Sequence, residues 1–310
     1  MVENVYEEDR PRLALMAFPA AVEYLFSLTG EYFLPLVSAT GDWWKVLLVY
    51  SGFYYCAEIV FEDGRIFRLD RSNLSALISE VETYEALKRV RHRESRGVVS
   101  MKFGSLVVKS LRSGAASIAD AFETMHYDIL NVKGRTVVDI GAYVGDSAIY
   151  YALAGRAKKV YAIEPVRSLF EVAKKNVRLN GLSGKVHVLK LAVSGKGKGR
   201  VTINDGFGYS AEKGVSTVSL DSLVKKYSIS HGALKVDCEG CEYDIFRNVS
   251  SKTLKCFDAI NVEYHHGYAD IVERLMKESY NVRYTKPRRS FTNLFRTSTV
   301  SGDIVATRKR

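Results

Sequence analysis

Two carboxylates 25 residues apart, Asp139 and Glu164, each end a short apolar run. The first run continues as Val137-Val-Asp-Ile-Gly-Ala-Tyr-Val-Gly-Asp146, an acid followed by a glycine turn; the second is Val160-Tyr-Ala-Ile-Glu-Pro165. A strand, a ligand loop, a helix and a second strand ending in an acid for ribose hydroxyls make a nucleotide-binding unit, with loop and acid roughly 20 residues apart. A second constellation lies downstream, in Asp237-Cys-Glu239-Gly-Cys-Glu242 and Glu263-Tyr-His265-His266. Such acids and histidines, placed at adjacent strand ends, can supply a general base for a hydroxyl or oxygen ligands for a divalent cation. Each pattern also has a plainer reading. Asp146 can simply cap a helix. Glu239 and Glu242 can occupy a helix N-terminus, where the dipole favours acids, with the histidines in a loop.

The loop itself separates two classes of ligand. A dinucleotide pyrophosphate wants Gly-x-Gly-x-x-Gly, so that bare backbone and a helix N-terminus can reach the phosphates. Here Tyr143 replaces the middle glycine and a carboxylate, Asp146, stands at the helix start. Asp139 and Asp146 disfavour an anion and suit a ligand with a cationic amino group and a sulfonium. The expected cofactor is therefore S-adenosyl-L-methionine, with Glu164 accepting hydrogen bonds from the ribose. The residues expected to touch it are Asp139, Gly141, Ala142, Tyr143, Gly145, Asp146, Glu164, Pro165 and Ala192.

Positioning these groups needs an open α/β sheet. After residue 134 apolar runs alternate with helical spacing. Strands are expected at Thr136–Ile140, Lys159–Ile163, Val186–Val193, Leu234–Asp237 and Ala259–Tyr264. Helices are expected at Gly145–Leu153, Arg167–Asn180, Asp221–Tyr227, Tyr243–Asn248 and Tyr268–Glu278. Two closing runs, Asn281–Thr285 and Ile304–Thr307, complete a seven-stranded, mostly parallel sheet whose last pair is antiparallel. Before it come a hairpin turning at Glu62-Asp63-Gly64 and a helix over Ser72–Arg93 capped by Ser72. Two short strands are expected around Phe103-Gly104-Ser105 and a helix over Ala115–Leu130.

The blocks Val138–Asp146, Val160–Pro165 with Ala173–Asn180, Val218-Ser-Leu-Asp221-Ser-Leu, and Leu234-Lys-Val-Asp-Cys-Glu-Gly-Cys-Glu242 with Ile260–His265 stand in a familiar order. In these the sequence resembles the FkbM family of S-adenosylmethionine-dependent methyltransferases, over roughly residues 125–285. Asp-x-Glu-Gly-x-Glu after a Leu-Asp segment is the more specific part. Tyr143 departs from the Asn often found there, and both x positions are Cys where small apolar residues are usual. The resemblance implies a Rossmann-like class I methyltransferase fold and methyl transfer, typically to a hydroxyl of a sugar or natural product. The catalytic candidates are Asp237, Glu239 and His265, read as a general base with no metal ligand assigned; a divalent cation is the secondary reading.

Other features bound the function. The 310 residues carry a net charge of +10, which favours an anionic partner or reflects a solvated basic surface. Residues 283–310 hold eight Lys/Arg against one acid. Nucleic-acid methylation is therefore the second reading, although no Asn/Asp-Pro-Pro-Tyr follows the fourth strand. A cofactor-binding scaffold without catalysis is the third. Gly195-Lys-Gly-Lys-Gly-Arg200 lacks the setting of a phosphate loop and reads as a surface hairpin. Four cysteines suggest a reducing compartment, and Cys238 and Cys241 read as small residues packed at a strand end. No stretch reaches the roughly 18 uncharged apolar residues of a spanning helix, and Leu13–Val22 is preceded by acids and ended by Glu23, unlike a signal peptide. A cytoplasmic protein is expected, with a small or glycan-type acceptor. The expected domains are a small α+β unit over residues 1–100, capping the site or mediating self-association, and the Rossmann-like domain over 101–310.

Overall fold

The computed structural model describes residues 33–204, 211–289 and 300–309. The apolar run Leu13–Val22 and residues 290–299 of the basic C-terminal stretch lie outside them. The chain divides into two compact units, Met1–Arg89 with Ser290–Ser298, and Val90–Arg289 with Thr299–Arg310.

In the first unit, helices α1 (Phe33–Ala39) and α2 (Trp43–Ser51) precede a hairpin of β1 (Cys56–Val60) and β2 (Ile66–Asp70), followed by α3 (Leu74–Arg89). The strands pair antiparallel with Val60 opposite Ile66, so the turn falls on Glu62-Asp63-Gly64 as its residue types require. Leu36, Val46, Ile59, Leu69, Leu77 and Val81 close its core. Ser72 does not cap the helix: its hydroxyl bonds Asp70 Oδ1 at 2.5 Å and the helix begins at Leu74. The helix also ends four residues short of Arg93. Its expected last turn is instead part of β3 (Arg91–Ser95), where pairing to a neighbouring strand satisfies the backbone.

The second unit opens with an antiparallel sheet of β3, β4 (Val98–Phe103) and β5 (Leu106–Leu111). Helix α4 (Ala115–Thr124) follows and breaks into a 3-10 turn, His126–Ile129, at Met125, whose φ is 52°. The main sheet runs β14-β16-β13-β12-β6-β7-β8. Its strands are β6 (Thr136–Ile140), β7 (Lys159–Ile163), β8 (Val186–Leu189), β12 (Gly232–Val236), β13 (Phe257–Tyr264), β14 (Tyr280–Tyr284) and β16 (Val300–Arg308), the start of which also pairs with a short β15 (Arg288–Arg289) off the main path. All neighbours pair parallel except β16, which is antiparallel to both β13 and β14. This is the Rossmann-like, seven-stranded α/β sheet expected, with the antiparallel pair last. The chain reverses its direction of travel between β6 and β12, and ligands of open α/β sheets bind outside the strand ends at such a point.

The interior strands are continuous apolar runs because both faces are covered. Every residue of β12 is buried, as are four of the five in β6 and β7. Val138, Ile140, Leu234, Val236, Ile260 and Val262 share a core with Phe246 of α8 (Cys241–Asn248) and Leu275 of α10 (Ala269–Lys277). Helix α5 (Asp146–Leu153) follows β6, and α6 (Arg167–Leu179) follows β7. Two amides tie β5 to α6 and its end: Leu111 N donates to Asn176 Oδ1 at 2.7 Å, and Lys109 N to Asn180 Oδ1 at 2.8 Å.

The expected strand Val186–Val193 is interrupted, and Ala192–Val193 (β9) leaves for a side sheet with β10 (Gly199–Asn204) and β11 (Ala211–Val218). The glycine-lysine segment, expected as a surface hairpin, instead links β9 to β10, which do not pair with each other but flank β11 on its two sides. Helix α7 (Leu220–Lys226) and a short α9 (Ser251–Leu254) complete the unit, and Asp221 accepts from the Ser250 hydroxyl at 2.5 Å. Among the described residues no helix is long and apolar enough to cross a membrane.

Candidate active site

The loop after β6 is shaped by glycine and by backbone bonds to β7. Gly141 N and Ala142 N both donate to Ile163 O at 3.0 Å, with Gly141 at φ 79°. A Cβ at Gly141 would stand 1.6 Å from the Asp237 carbonyl oxygen, so only glycine lets the two loops approach. Tyr143 sits at φ 46°, half-exposed, with Gly145 at φ 86° before the helix. Glu164, at the end of β7, straps this loop: its Oε2 accepts from Tyr143 N at 2.9 Å and its Oε1 from Val166 N at 2.8 Å. Each oxygen keeps a further lone pair for a ligand hydroxyl. Burial pushes its carboxyl up to about 7.

Asp139 lies beneath the loop and is fully buried. Ser147 donates to its Oδ2 at 2.6 Å, whereas Oδ1 has no hydrogen-bond partner and faces Lys235 Nζ at 3.6 Å. Burial raises Asp139 to about 6, against the opposing pull of Lys235 and Ser147. Asp146 does not cap the helix; it is the first helical residue, and its Oδ2 accepts from the Tyr127 hydroxyl at 2.7 Å. Burial raises it as well. Of the other residues expected at the cofactor, Ala142 is fully buried in the loop and Pro165 is half-buried just past Glu164. Ala192 is buried in β9, a short step beyond β8, whose Leu189 carbonyl receives the Glu164 N–H at 3.0 Å.

Lys235 connects this loop to the second constellation. It projects from a wholly buried strand, donates to Gly141 O at 2.8 Å, and pairs with Asp237 Oδ2 at 3.1 Å. Burial works against its charge, but Asp237 and Asp139 outweigh that and hold it firmly protonated. Asp237 follows β12 directly, Glu239 stands at φ 55° on the turn, and His265 follows β13. His265 Nε2 lies 3.9 Å from Asp237 Oδ1 and 3.5 Å from Glu239 Oε2. The three catalytic candidates thus converge on one spot. Glu242, fully buried, sits behind them: its Oε1 is 3.0 Å from His265 Nδ1 and its Oε2 accepts from Gly240 N at 2.9 Å. Burial would lower His265, but the Glu242 hydrogen bond and the nearby acids prevail and raise it to about 9. The backbone N–H of His266 donates to the Tyr243 hydroxyl at 2.7 Å, and its ring lies beside Gly240.

The two cysteines are not separate packed thiols. Cys238 and Cys241 form a disulfide, their Cα atoms 5.5 Å apart across the turn made by Glu239 and Gly240, both with positive φ. This corrects the reading of two small packed residues and removes one argument for a reducing compartment.

This arrangement of a glycine turn under a strand-end acid, beside a second acidic strand end, coincides with a known sequence family. Residues 139–284 match the Methyltransferase FkbM domain. The segment is an FkbM-family methyltransferase domain. Among solved structures, the chain resembles M. capricolum TrmK bound to S-adenosyl-homocysteine, at 12% identity and TM-score 0.40 over 60% of this chain and 67% of that one. An uncharacterized protein from Listeria monocytogenes serotype 4b matches at 15% identity and TM-score 0.37, over 58% of this chain and 64% of its own. The METTL16 MTase domain matches at 17% identity and TM-score 0.44, over 82% and 86%. The chain therefore spans about two thirds of the length of the first two.

Three residues of the site were not singled out from sequence: Lys235, Ser147 and Tyr127; Glu242, read there as one of the acids able to act as base or ligand, or as a helix-end acid, stands behind His265 instead. Lys235 had one visible signal, a lysine inside a run that otherwise reads as fully buried.

Proposed function

We propose that the protein is an S-adenosyl-L-methionine-dependent O-methyltransferase acting on a small or glycan-type hydroxyl. The reading is supported most by Glu164, whose buried carboxylate straps the glycine loop through Tyr143 N and Val166 N and keeps a lone pair on each oxygen for a ribose hydroxyl. The floor of the loop is acidic, with Asp139, ion-paired to Lys235, and Asp146 both buried beneath it. A cationic amino group suits that floor, whereas a pyrophosphate would meet Asp139 and Asp146 as like charges.

S-adenosyl-L-methionine, when bound, supplies a methyl group on a sulfonium. Glu164 offers its free lone pairs to the ribose hydroxyls. Gly141 permits the close approach of loop and Asp237. Lys235 holds Asp139, Gly141 and Asp237 in one rigid bridge, so that cofactor loop and catalytic acid share a register. Asp237, Glu239 and His265 receive the acceptor hydroxyl and ease the loss of its proton, which methyl transfer to oxygen requires.

The net charge of +10 favours RNA as the second acceptor class. Tritium transfer from labelled S-adenosyl-L-methionine into a fractionated cell extract separates the two. Label in small-molecule or glycan fractions is expected; label confined to RNA, or none in any fraction, refutes the reading.

A further inference from the structure

We propose that Asp237, Glu239 and His265 bind a divalent transition-metal ion of the manganese(II) class, open on one side to the acceptor oxygen. The role of the ion rests on the methyltransferase reading; its binding does not.

The geometry is that of ligands awaiting one ion. A carboxylate oxygen of Asp237, one of Glu239 and a ring nitrogen of His265 all lie within 4.8 Å of one another. Ligand atoms about 2.1 Å from a shared ion stand roughly 3 to 4 Å apart. His265 Nε2 is 3.9 Å from Asp237 Oδ1 and 3.5 Å from Glu239 Oε2. Small side-chain rotations therefore close the set.

A second observation concerns the groups behind the ligands. Glu242 is fully buried and meets His265 Nδ1 at 3.0 Å, which leaves Nε2 as the nitrogen aimed at the two acids. A carboxylate on the far nitrogen is the usual support of a metal-bound histidine: it sets the tautomer and raises the basicity of the ligating nitrogen. Glu242 is itself pinned by Gly240 N at 2.9 Å. Asp237 is similarly committed, with Oδ2 on Lys235 at 3.1 Å and Oδ1 toward the cluster. The three carboxylates of Asp237, Glu239 and Glu242 thus surround one imidazole, and Lys235 offsets only one of them, which leaves negative charge at the cluster for a cation to balance.

The donor set selects the ion. Two carboxylates and one imidazole suit manganese(II) or zinc(II) better than magnesium, which prefers oxygen alone. Three protein ligands leave coordination positions open, as catalytic sites do. A hydroxyl bound there becomes more acidic. Its oxygen then forms the new bond to the methyl carbon. The carbon–sulfur bond breaks with its electron pair going to sulfur, and the hydroxyl proton leaves to water.

The test titrates manganese(II) alone into chelator-treated full-length protein and reads free ion by electron paramagnetic resonance. Manganese is chosen because it has little affinity for the thiols that Cys238 and Cys241 would expose on reduction. One ion per chain is expected. Glu239→Gln, whose exposed side chain leaves the fold intact, should weaken binding at least ~10-fold, and Glu242→Gln roughly 10- to 100-fold. No saturable binding to wild-type protein, or a Glu239→Gln variant that binds like wild type, overturns the proposal. S-adenosylhomocysteine binding on the same samples separates the two readings. Binding of S-adenosylhomocysteine with no binding of manganese refutes the metal site and leaves the cofactor assignment standing. Manganese bound without it supports the metal site and refutes the cofactor assignment.

Discussion

Replacing Lys235 by Met keeps a straight side chain of similar length but removes the one charge that joins the two halves of the site. In the folded protein Lys235 lies 3.6 Å from Asp139 Oδ1 and 3.1 Å from Asp237 Oδ2, with Asp139 fully buried. Breaking a buried ion pair by deleting one partner costs about 3–5 kcal/mol, because the other charge stays behind uncompensated. Asp139 can escape part of that cost by taking up a proton. Burial already holds it up to about 6, above its ordinary 3.8, despite the opposing effect of Lys235. A carboxyl raised on folding contributes stability that is complete below its unfolded value and is lost as pH rises through its folded value. Without Lys235 the folded value rises further, so the deficit of the variant opens above pH ~6 and widens by up to about 1.4 kcal/mol per pH unit. The Lys235→Met variant should therefore lose about 3 kcal/mol at pH 7.5, and about 1–2 kcal/mol less than that at pH 5.5. Urea unfolding followed by far-ultraviolet circular dichroism is the assay, since both tryptophans, Trp43 and Trp44, lie in the other unit. A loss below about 1 kcal/mol at pH 7.5, or an equal loss at the two pH values, would refute the bridging role of Lys235.

Three further outcomes follow from the same geometry. Gly141→Ala puts a Cβ 1.6 Å from the Asp237 carbonyl at a φ of 79°, so the loop must move; S-adenosylhomocysteine affinity by calorimetry should fall at least ~10-fold, and unchanged affinity would contradict the loop assignment. Glu164 is held up to about 7 by burial, so its ligand-accepting carboxylate form grows as pH rises through 7; wild-type affinity for S-adenosylhomocysteine should strengthen from pH 6 to pH 8 more steeply than that of Glu164→Gln, and a wild-type profile no steeper than the variant's would exclude Glu164 from the site. Thiol titration under denaturing, non-reducing conditions should count two cysteines, Cys56 and Cys256, and four after reduction; four before reduction would mean that Cys238 and Cys241 are not joined.

The sheet was legible because its strands are buried on both faces, and a run such as Val137–Ile140 admits few other readings. The cofactor loop was legible because an acid, a glycine turn and a second acid are backbone requirements that spacing alone displays. The helix over Ser72–Arg93 ran too far because Arg91-His-Arg-Glu-Ser95 has no apolar alternation; all five residues are exposed and the strand exists by pairing with β4. The disulfide was missed for a similar reason: it depends on positive φ at Glu239 and Gly240, which brings the two cysteines together across a turn. Lys235 and Ser147 escaped notice because their meaning lies in which strand or helix they face. Asp139 and Lys235 are far apart in sequence and become neighbours only when β6 and β12 pair, with Lys235 opposite Asp139 in the register.

The most direct test of the central claim is the atom that receives the methyl group. Incubation with S-adenosyl-L-methionine carrying carbon-13 in its methyl, followed by carbon–proton correlation spectroscopy of the purified product, identifies that atom. The account predicts a labelled methyl on oxygen of a hydroxylated small molecule or glycan, and its disappearance in Asp237→Asn. A labelled methyl on a nucleobase nitrogen or carbon, or undiminished transfer by Asp237→Asn, would contradict it.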